Sequence, residues 1–292
     1  MAGCFTFYLL SFELILIAML PEWFFFSVVG LFGLIIGSFL NVVIYRLHTG
    51  RSLNDRSHCL SCGRTLSWYE LFPVFSYLAL RGRCRSCHSF IPYRYALVEI
   101  LTAGAFLLAY LNFQGWLLLL ADCTLLSVLV VVLVYDLYHK IIPDELSGLM
   151  ALLALLITGF KAWQLGSYQV ALIDVASGGL VALGFGLLWY FSKGRAIGLG
   201  DAKIAFGLGV LTGAGNLFSF VVLAFWLGAI SGIILILLST KQLARLTRVR
   251  THHVNMKSEV PFAPFLIASF ILVHFFDMDV LLFIEGALLA IL

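Results

Sequence analysis

Residues 24–45 read FFFSVVGLFGLIIGSFLNVVIY, a run without a single charged side chain. A helix crossing the hydrocarbon of a bilayer needs about 20 mostly apolar residues at a rise of about 1.5 Å each, and this run supplies them. The pattern then repeats: spans are predicted at 24–45, 95–111, 116–135, 146–160, 170–191, 202–211, 217–239 and 261–276. The composition agrees, with 62% hydrophobic and 11% charged residues in 292, against about 45–50% and about 25% in soluble domains. A soluble enzyme, a disordered chain and a nucleic-acid-binding domain are excluded, and no nucleic-acid partner is expected. The fold class is an all-α polytopic membrane protein of about eight transmembrane helices.

The chain divides by hydropathy into an N-terminal extension (1–23), a first transmembrane helix (24–45), a polar joint (46–94), a seven-helix membrane domain (95–276) and an apolar tail (277–292). The extension is apolar from Phe5 to Leu20 apart from Glu13, but lacks the basic n-region and small-residue cleavage site of a signal peptide, so it reads as an uncleaved extension of the first helix or a surface helix. The tail carries Glu285 and is too short for a secure span. Cytoplasmic joints carry the excess of Lys and Arg. With eight spans and the N-terminus outside, every one of the 18 basic residues except Lys161 falls on the inner side. The joints at 46–94 and 240–260 are then both cytoplasmic.

Within the first joint, Cys59-Leu-Ser-Cys62 and Cys84-Arg-Ser-Cys87 stand 21 residues apart. Two such pairs supply four thiolates to one tetrahedral zinc, and in a reducing compartment thiolates bind metal rather than pair as disulfides. Four unligated, redox-active cysteines are the alternative. A joint this short and polar cannot bury enough surface to fold unaided, so a metal clip suits it. His88 reads as a surface histidine beside a site that four thiolates already close, and Cys4 and Cys123 read as packing residues.

Carboxylates at span ends are expensive and mark function. Asp136 ends the third span and Asp201 opens the sixth, both at the cytoplasmic edge, so they lie at one depth and can meet. Asp122 lies fourteen residues before Asp136, about 21 Å deeper, and is excluded from that pair. Asp144 and Glu145 follow Pro143 as helix-start residues. Asp174 and Glu99 take structural readings, Glu99 with Arg94 or another helix as partner. Two carboxylates in a partly dry site share one proton, so that one takes a proton from water while the other hydrogen-bonds a peptide carbonyl, as in aspartic proteases. Gly198 and Gly200, in Gly198-Leu-Gly-Asp201, leave room for an extended substrate backbone.

These residues carry a resemblance. The stretches Gly37-Ser-Phe-Leu-Asn-Val-Val-Ile-Tyr-Arg46, the two C-x-x-C pairs with Leu80-Arg-Gly-Arg-Cys-Arg-Ser-Cys87, Asp136 with Ile142-Pro143-Asp144, Gly198-Leu-Gly-Asp201 and Val260-Pro-Phe-Ala-Pro-Phe265 resemble, in order, the bacterial type IV prepilin leader peptidases, GxGD-type aspartic membrane proteases. His48 and Ala263 stand where the family commonly has proline and glycine, and the lead-in is longer than usual. The resemblance implies removal of the basic leader of type IV prepilins or type II secretion pseudopilins after a glycine on the cytoplasmic side of the inner membrane. It implies Asp136 and Asp201 as the catalytic pair. It also implies N-methylation of the new amino terminus from S-adenosylmethionine. The joint has no glycine-rich strand-to-helix turn, so the cofactor-binding residues stay unassigned.

A transporter would place its acids near the midplane within repeated halves, and no repeat is evident. A zinc-stabilised assembly scaffold would not need the two aspartates. Gly30, Gly33 and Gly37 form a small-residue face for close helix contact. Lys203 reads as an interfacial lysine, and His252 and His253 as solvated residues beside membrane-surface arginines.

Overall fold

The computed structural model describes residues 21–47, 49, 52–195, 197–239 and 261–289. Most of the expected N-terminal extension, His48, and the joint at 240–260 with His252 and His253 lie outside them. Among the described residues the helices are α1 (Glu22–Arg46), α2 (Phe75–Ala79), α3 (Arg94–Leu111), α4 (Trp116–His139), α5 (Asp144–Leu165), α6 (Tyr168–Ser192), α7 (Leu199–Ser239), α8 (Ala263–Phe276) and α9 (Val280–Leu289), with a 3-10 turn at Trp68–Leu71. No strand is present among them; two isolated bridges occur in the joint. Helices apolar all round suit a lipid solvent, where every backbone group must be satisfied within its own segment.

Six of these helices are long and apolar enough to cross a membrane, while α8, at 14 residues, falls short of that length. The eight-span count is not confirmed: predicted span 261–276 is the short α8, and predicted spans 202–211 and 217–239 both fall within α7, on either side of Gly213, whose φ of 76° and ψ of 165° break that 41-residue element. The chain reverses there. The Asp174 carboxylate accepts the Ala214 N–H at 3.0 Å, and a side chain on Gly178 would collide with Phe206 and Val210, so the first half of α7 runs antiparallel to α6. Yet Phe185, further along α6, stacks on Phe225 with ring centroids 5.8 Å apart. Phe225 lies twelve residues beyond Gly213 and reaches Phe185 only if the second half doubles back. Glycine is the residue that takes a positive φ without penalty.

The chain forms two compact units that part between Ser127 and Val128, within α4. In the first, α1 and α3 pack antiparallel. A Cβ on Gly33 or Gly37 would lie 2.7 Å from the Ala103 or Glu99 Cα, so the expected small-residue face lets the backbones touch. Arg46, buried at the end of α1, donates to the carbonyls of Ser52, Leu53 and Asp55 and ties down the start of the joint. In the second unit the core gathers Met150, Ile204, Leu208, Phe220, Leu266 and Phe270, all fully buried. The tail helix α9 is held to α7 through Ser219, which donates to Asp279 at 2.7 Å and accepts the Val280 N–H at 3.0 Å.

Candidate functional site

Asp136 and Asp201 belong to the second unit and stand on different helices, one in the last turn of α4 and the other in the first turn of α7. Their exposures are 4% and 6%, so both carboxyls are withdrawn from bulk solvent. They are close enough for their charges to interact, and the backbone N–H of Ala263 lies near both. Asp201 Oδ2 also accepts the Gly198 N–H at 3.0 Å. Asp136 Oδ2 is buried with no hydrogen-bond partner among the described residues, a condition that costs about 1–3 kcal/mol. A free oxygen on one acid beside a tethered neighbour is the arrangement in which a proton can be held or passed.

Ala263 is the first residue of α8 and fully buried. Its N–H is one of the donors that a helix start leaves without an intrahelical acceptor, and the positive end of the helix dipole accompanies it. Phe262, just before it, packs against Phe185 and Phe225 with centroids 5.7 Å and 5.4 Å away, which fixes where α8 begins. The proline-bracketed Pro261-Phe-Ala-Pro264 was a visible helix-start signal. Nothing local showed that the freed amide would lie near two acids.

The glycines before Asp201 are engaged by the protein itself. A Cβ on Gly200 would lie 2.9 Å from the Ile142 Cβ, and one on Gly198 would lie 3.3 Å from Asp201 Oδ2. Gly200→Val is therefore expected to displace the α4–α5 joint and cost about 1–3 kcal/mol, and Ile142→Ala should relieve most of it. A thermal unfolding comparison of the single and double variants checks this; equal melting of Gly200→Val and wild type would contradict the contact. Lys203 bonds Asp144 at 2.5 Å, an exposed pair. Asp144, with Glu145 in the first turn of α5, thus keeps the helix-start position expected for it.

The remaining acids sort as structural. Asp174 holds the Gly213 reversal, and Asp122 stands on α4 in the first unit. Glu99 is buried; it accepts the Val74 N–H at 2.7 Å, and of the two expected partners, Arg94 or another helix, it is the second that it meets, in Ser38 of α1.

In the first unit the Sγ atoms of Cys59, Cys62, Cys84 and Cys87 all lie within 4.8 Å of one another, a group that could hold a metal ion. The Cys59–Cys87 separation is 3.8 Å, close to the edge of about 3.8 Å in a tetrahedron with Zn–S bonds of about 2.3 Å. Two copies of one turn build the cluster. Cys59 N–H donates to Arg64 O and Gly63 N–H to Cys59 O; Cys84 N–H donates to Ser89 O and His88 N–H to Cys84 O. Each turn closes through a left-handed residue, Gly63 at φ 70° and His88 at φ 55°, so His88 serves the turn. The Cys62 and Ser61 N–H groups aimed at Cys59 pull its thiol down to about 6. Glu70 is held below the usual carboxylate range by the Ser67 N–H and by Arg64. Between residues 52 and 93 the buried side chains are Cys84 and Glu70. The same unit has a partly open cavity of about 240 Å³ bordered by Asn41, Tyr45, Arg46, Tyr77 and Tyr95.

Comparison with known proteins places these features in context. A family model described as the bacterial peptidase A24 N-terminal domain matches residues 31–113, and one described as the type IV leader peptidase family matches residues 123–233. Proteins named prepilin leader peptidase/N-methyltransferase align over much of the chain. That of Aeromonas salmonicida (strain A449) is 35% identical, covering 84% of this chain and 88% of its own. That of Pectobacterium carotovorum subsp. carotovorum is 34% identical, covering 75% and 84%. That of Myxococcus xanthus (strain DK1622) is 38% identical over 70% of this chain, which spans 61% of the length of that relative. No solved structure matches.

Proposed function

Because this chain belongs to the type IV leader peptidase family, we propose that it is a prepilin leader peptidase and N-methyltransferase of the bacterial inner membrane, acting on type IV prepilins or type II secretion pseudopilins. The observation that carries the peptidase reading is the buried pair Asp136 and Asp201 on two helices with the Ala263 amide near both. In the proposed reaction the ionised carboxylate takes a proton from water as its oxygen adds to the scissile carbonyl carbon. The protonated partner holds the carbonyl oxygen, and the Ala263 N–H and α8 dipole keep one acid charged in a dry site. The C–N bond then breaks as the proton passes to the leaving nitrogen, so the leader ends in a carboxylate and the mature chain begins with an amine. Gly198 and Gly200 are proposed as the substrate-approach residues: the missing side chain of Gly198 leaves Asp201 Oδ2 uncrowded, while that of Gly200 seats Ile142 beside the chain that leads to Asp201.

Methyl transfer is the second proposed activity, with S-adenosylmethionine as donor. The cavity of about 240 Å³ in the first unit is a little under the usual range of about 300–1,000 Å³ for ligand sites. The rings of Tyr45, Tyr77 and Tyr95 at its edge offer π-faces to a sulfonium cation. Zinc at the four cysteines is proposed as the structural metal of the joint at 46–94, with the peptidase domain at 95–276. In the eight-run topology expected from hydropathy, seventeen of the 18 basic residues fall on one side, which supports a cytoplasmic position for both the joint and the aspartates. Cysteines introduced at positions 140 and 194 are expected to react with an impermeant thiol reagent only from the inner side; labelling from outside would reverse the orientation.

Mass spectrometry of a prepilin incubated with the purified protein in detergent, with and without S-adenosylmethionine, tests the function. The expected product lacks the leader in both cases and gains one methyl group only with the donor. An unchanged prepilin would leave the scaffold reading in place, and substrate-independent ion uptake into vesicles would favour transport.

A further inference from the structure

The part of the joint outside the two cysteine turns has its polarity inverted. Trp68, Phe72, Phe75 and Leu78 are 74%, 53%, 61% and 65% exposed, and Phe75, Leu78 and Ala79 share one face of α2 by helical spacing. Contiguous exposed apolar surface marks a partner.

Depth identifies that partner. The Val74 N–H donates to Glu99 at 2.7 Å. Glu99 is five residues inside α3 from Arg94, about 7.5 Å along the helix axis, and packs level with Gly37 of α1. The backbone at Val74 is therefore tied to the flank of α3, beside α1, by a side chain of the helix itself. Trp68, Leu71 and Phe72 border a groove whose far wall is Ile35 and Phe39. Those two α1 residues are 58% and 51% exposed and lie eleven and seven residues before Arg46, about 16 and about 10 Å into the span. The apolar face of the joint is thus continuous with the apolar face of a membrane-spanning helix. Arg81, Arg83 and Arg85 follow directly and are exposed, the charge that anionic headgroups attract.

The backbone at this depth obeys the rule for non-helical chain in a membrane, which persists only where its polar groups are satisfied by protein. Val74 has φ 59°, a costly conformation for a β-branched residue that survives where its surroundings over-determine it. Glu99, 8% exposed, is the acceptor that does so. We propose that residues 68–79 form a re-entrant segment that dips into the lipid, anchored at Val74 by Glu99, with Trp68, Phe72, Phe75 and Leu78 against acyl chains and Arg81, Arg83 and Arg85 at the headgroups.

The test uses the full chain in liposomes of phosphatidylethanolamine and phosphatidylglycerol, with benzoylphenylalanine placed in turn at positions 75, 78, 35 and 54, and lipid adducts read by mass spectrometry after illumination. Adduct yields at 75 and 78 are expected to match position 35 and to exceed position 54, on the exposed polar part of the joint, by about tenfold. Glu99→Leu, which leaves Val74 N–H without its acceptor, should bring 75 and 78 down to the level of 54 while 35 is unchanged. Glu99→Gln should preserve the pattern because its amide oxygen still accepts. Should Glu99→Leu fail to insert, quenching of tryptophan emission by brominated acyl chains decides: it is expected to fall in Trp68→Phe relative to wild type. Yields at 75 and 78 equal to that at 54, quenching unchanged by Trp68→Phe, or lipid adducts replaced by prepilin cross-links when substrate is added, would overturn the proposal.

Discussion

Asp136→Asn and Asp201→Asn are each expected to lower prepilin cleavage by at least about 10³-fold, while the protein still inserts and purifies with wild-type yield. An amide keeps the shape of the carboxyl, and at position 201 its oxygen still accepts the Gly198 N–H that now bonds at 3.0 Å. What is lost is the exchangeable proton, which both halves of a two-carboxylate mechanism require. Neither residue should be needed for folding: Asp136 leaves one oxygen without a partner among the described residues, so an amide there removes a charge from a buried position. Asp144→Asn is the control. It breaks an exposed ion pair with Lys203, worth about 0–1 kcal/mol, and should leave turnover near wild type. Time courses of leader release by mass spectrometry distinguish these outcomes. Near-normal cleavage by either asparagine variant would remove the pair from the mechanism, and a large loss in Asp144→Asn would move the chemistry to the start of α5.

The second large effect concerns the metal. Purified protein is expected to carry one zinc per chain, and Cys59→Ser with Cys84→Ser to carry none. Loss of metal should open the joint at 46–94 to proteolysis under conditions where the wild-type joint resists. The size of the effect follows from how little else holds that segment. With Cys84 and Glu70 as its buried side chains between residues 52 and 93, it has almost no apolar core, whereas structural zinc contributes about 10–16 kcal/mol that is folding free energy outright. The twin turns bring four thiols together, and at low pH protons compete with the metal for them. Zinc-free native protein by elemental analysis, or undiminished zinc in the double variant, would rule the site out.

What the sequence could determine was whatever depends on spacing along the chain. Apolar run length is a local property, so the helices and most of their limits were legible, as was an all-α membrane fold. The cysteine spacing was equally local, and the twin turns repeat it with a left-handed residue after each pair. The meeting of Asp136 with Asp201 was legible for a weaker reason: charge asymmetry assigns each span end to a side, and a shared side means a shared depth.

Contacts between segments distant in the chain were decided by the tertiary structure. The turn between the predicted runs 202–211 and 217–239 comes down to Gly213, whose backbone conformation no hydropathy window specifies. Gly200, read as room for a substrate, is also room for Ile142, because a missing side chain does not declare what fills the space. The joint looked like a loop hung between two helices, yet Glu99 binds the Val74 N–H and holds its middle against α3. The Ala263 amide came to lie near both acids because aromatic packing of Phe262 against α6 and α7 sets where α8 begins. Hydropathy ranks each residue against its solvent, while a hydrogen bond between residues 74 and 99 or a ring contact between 185 and 262 exists only once the helices have chosen their neighbours.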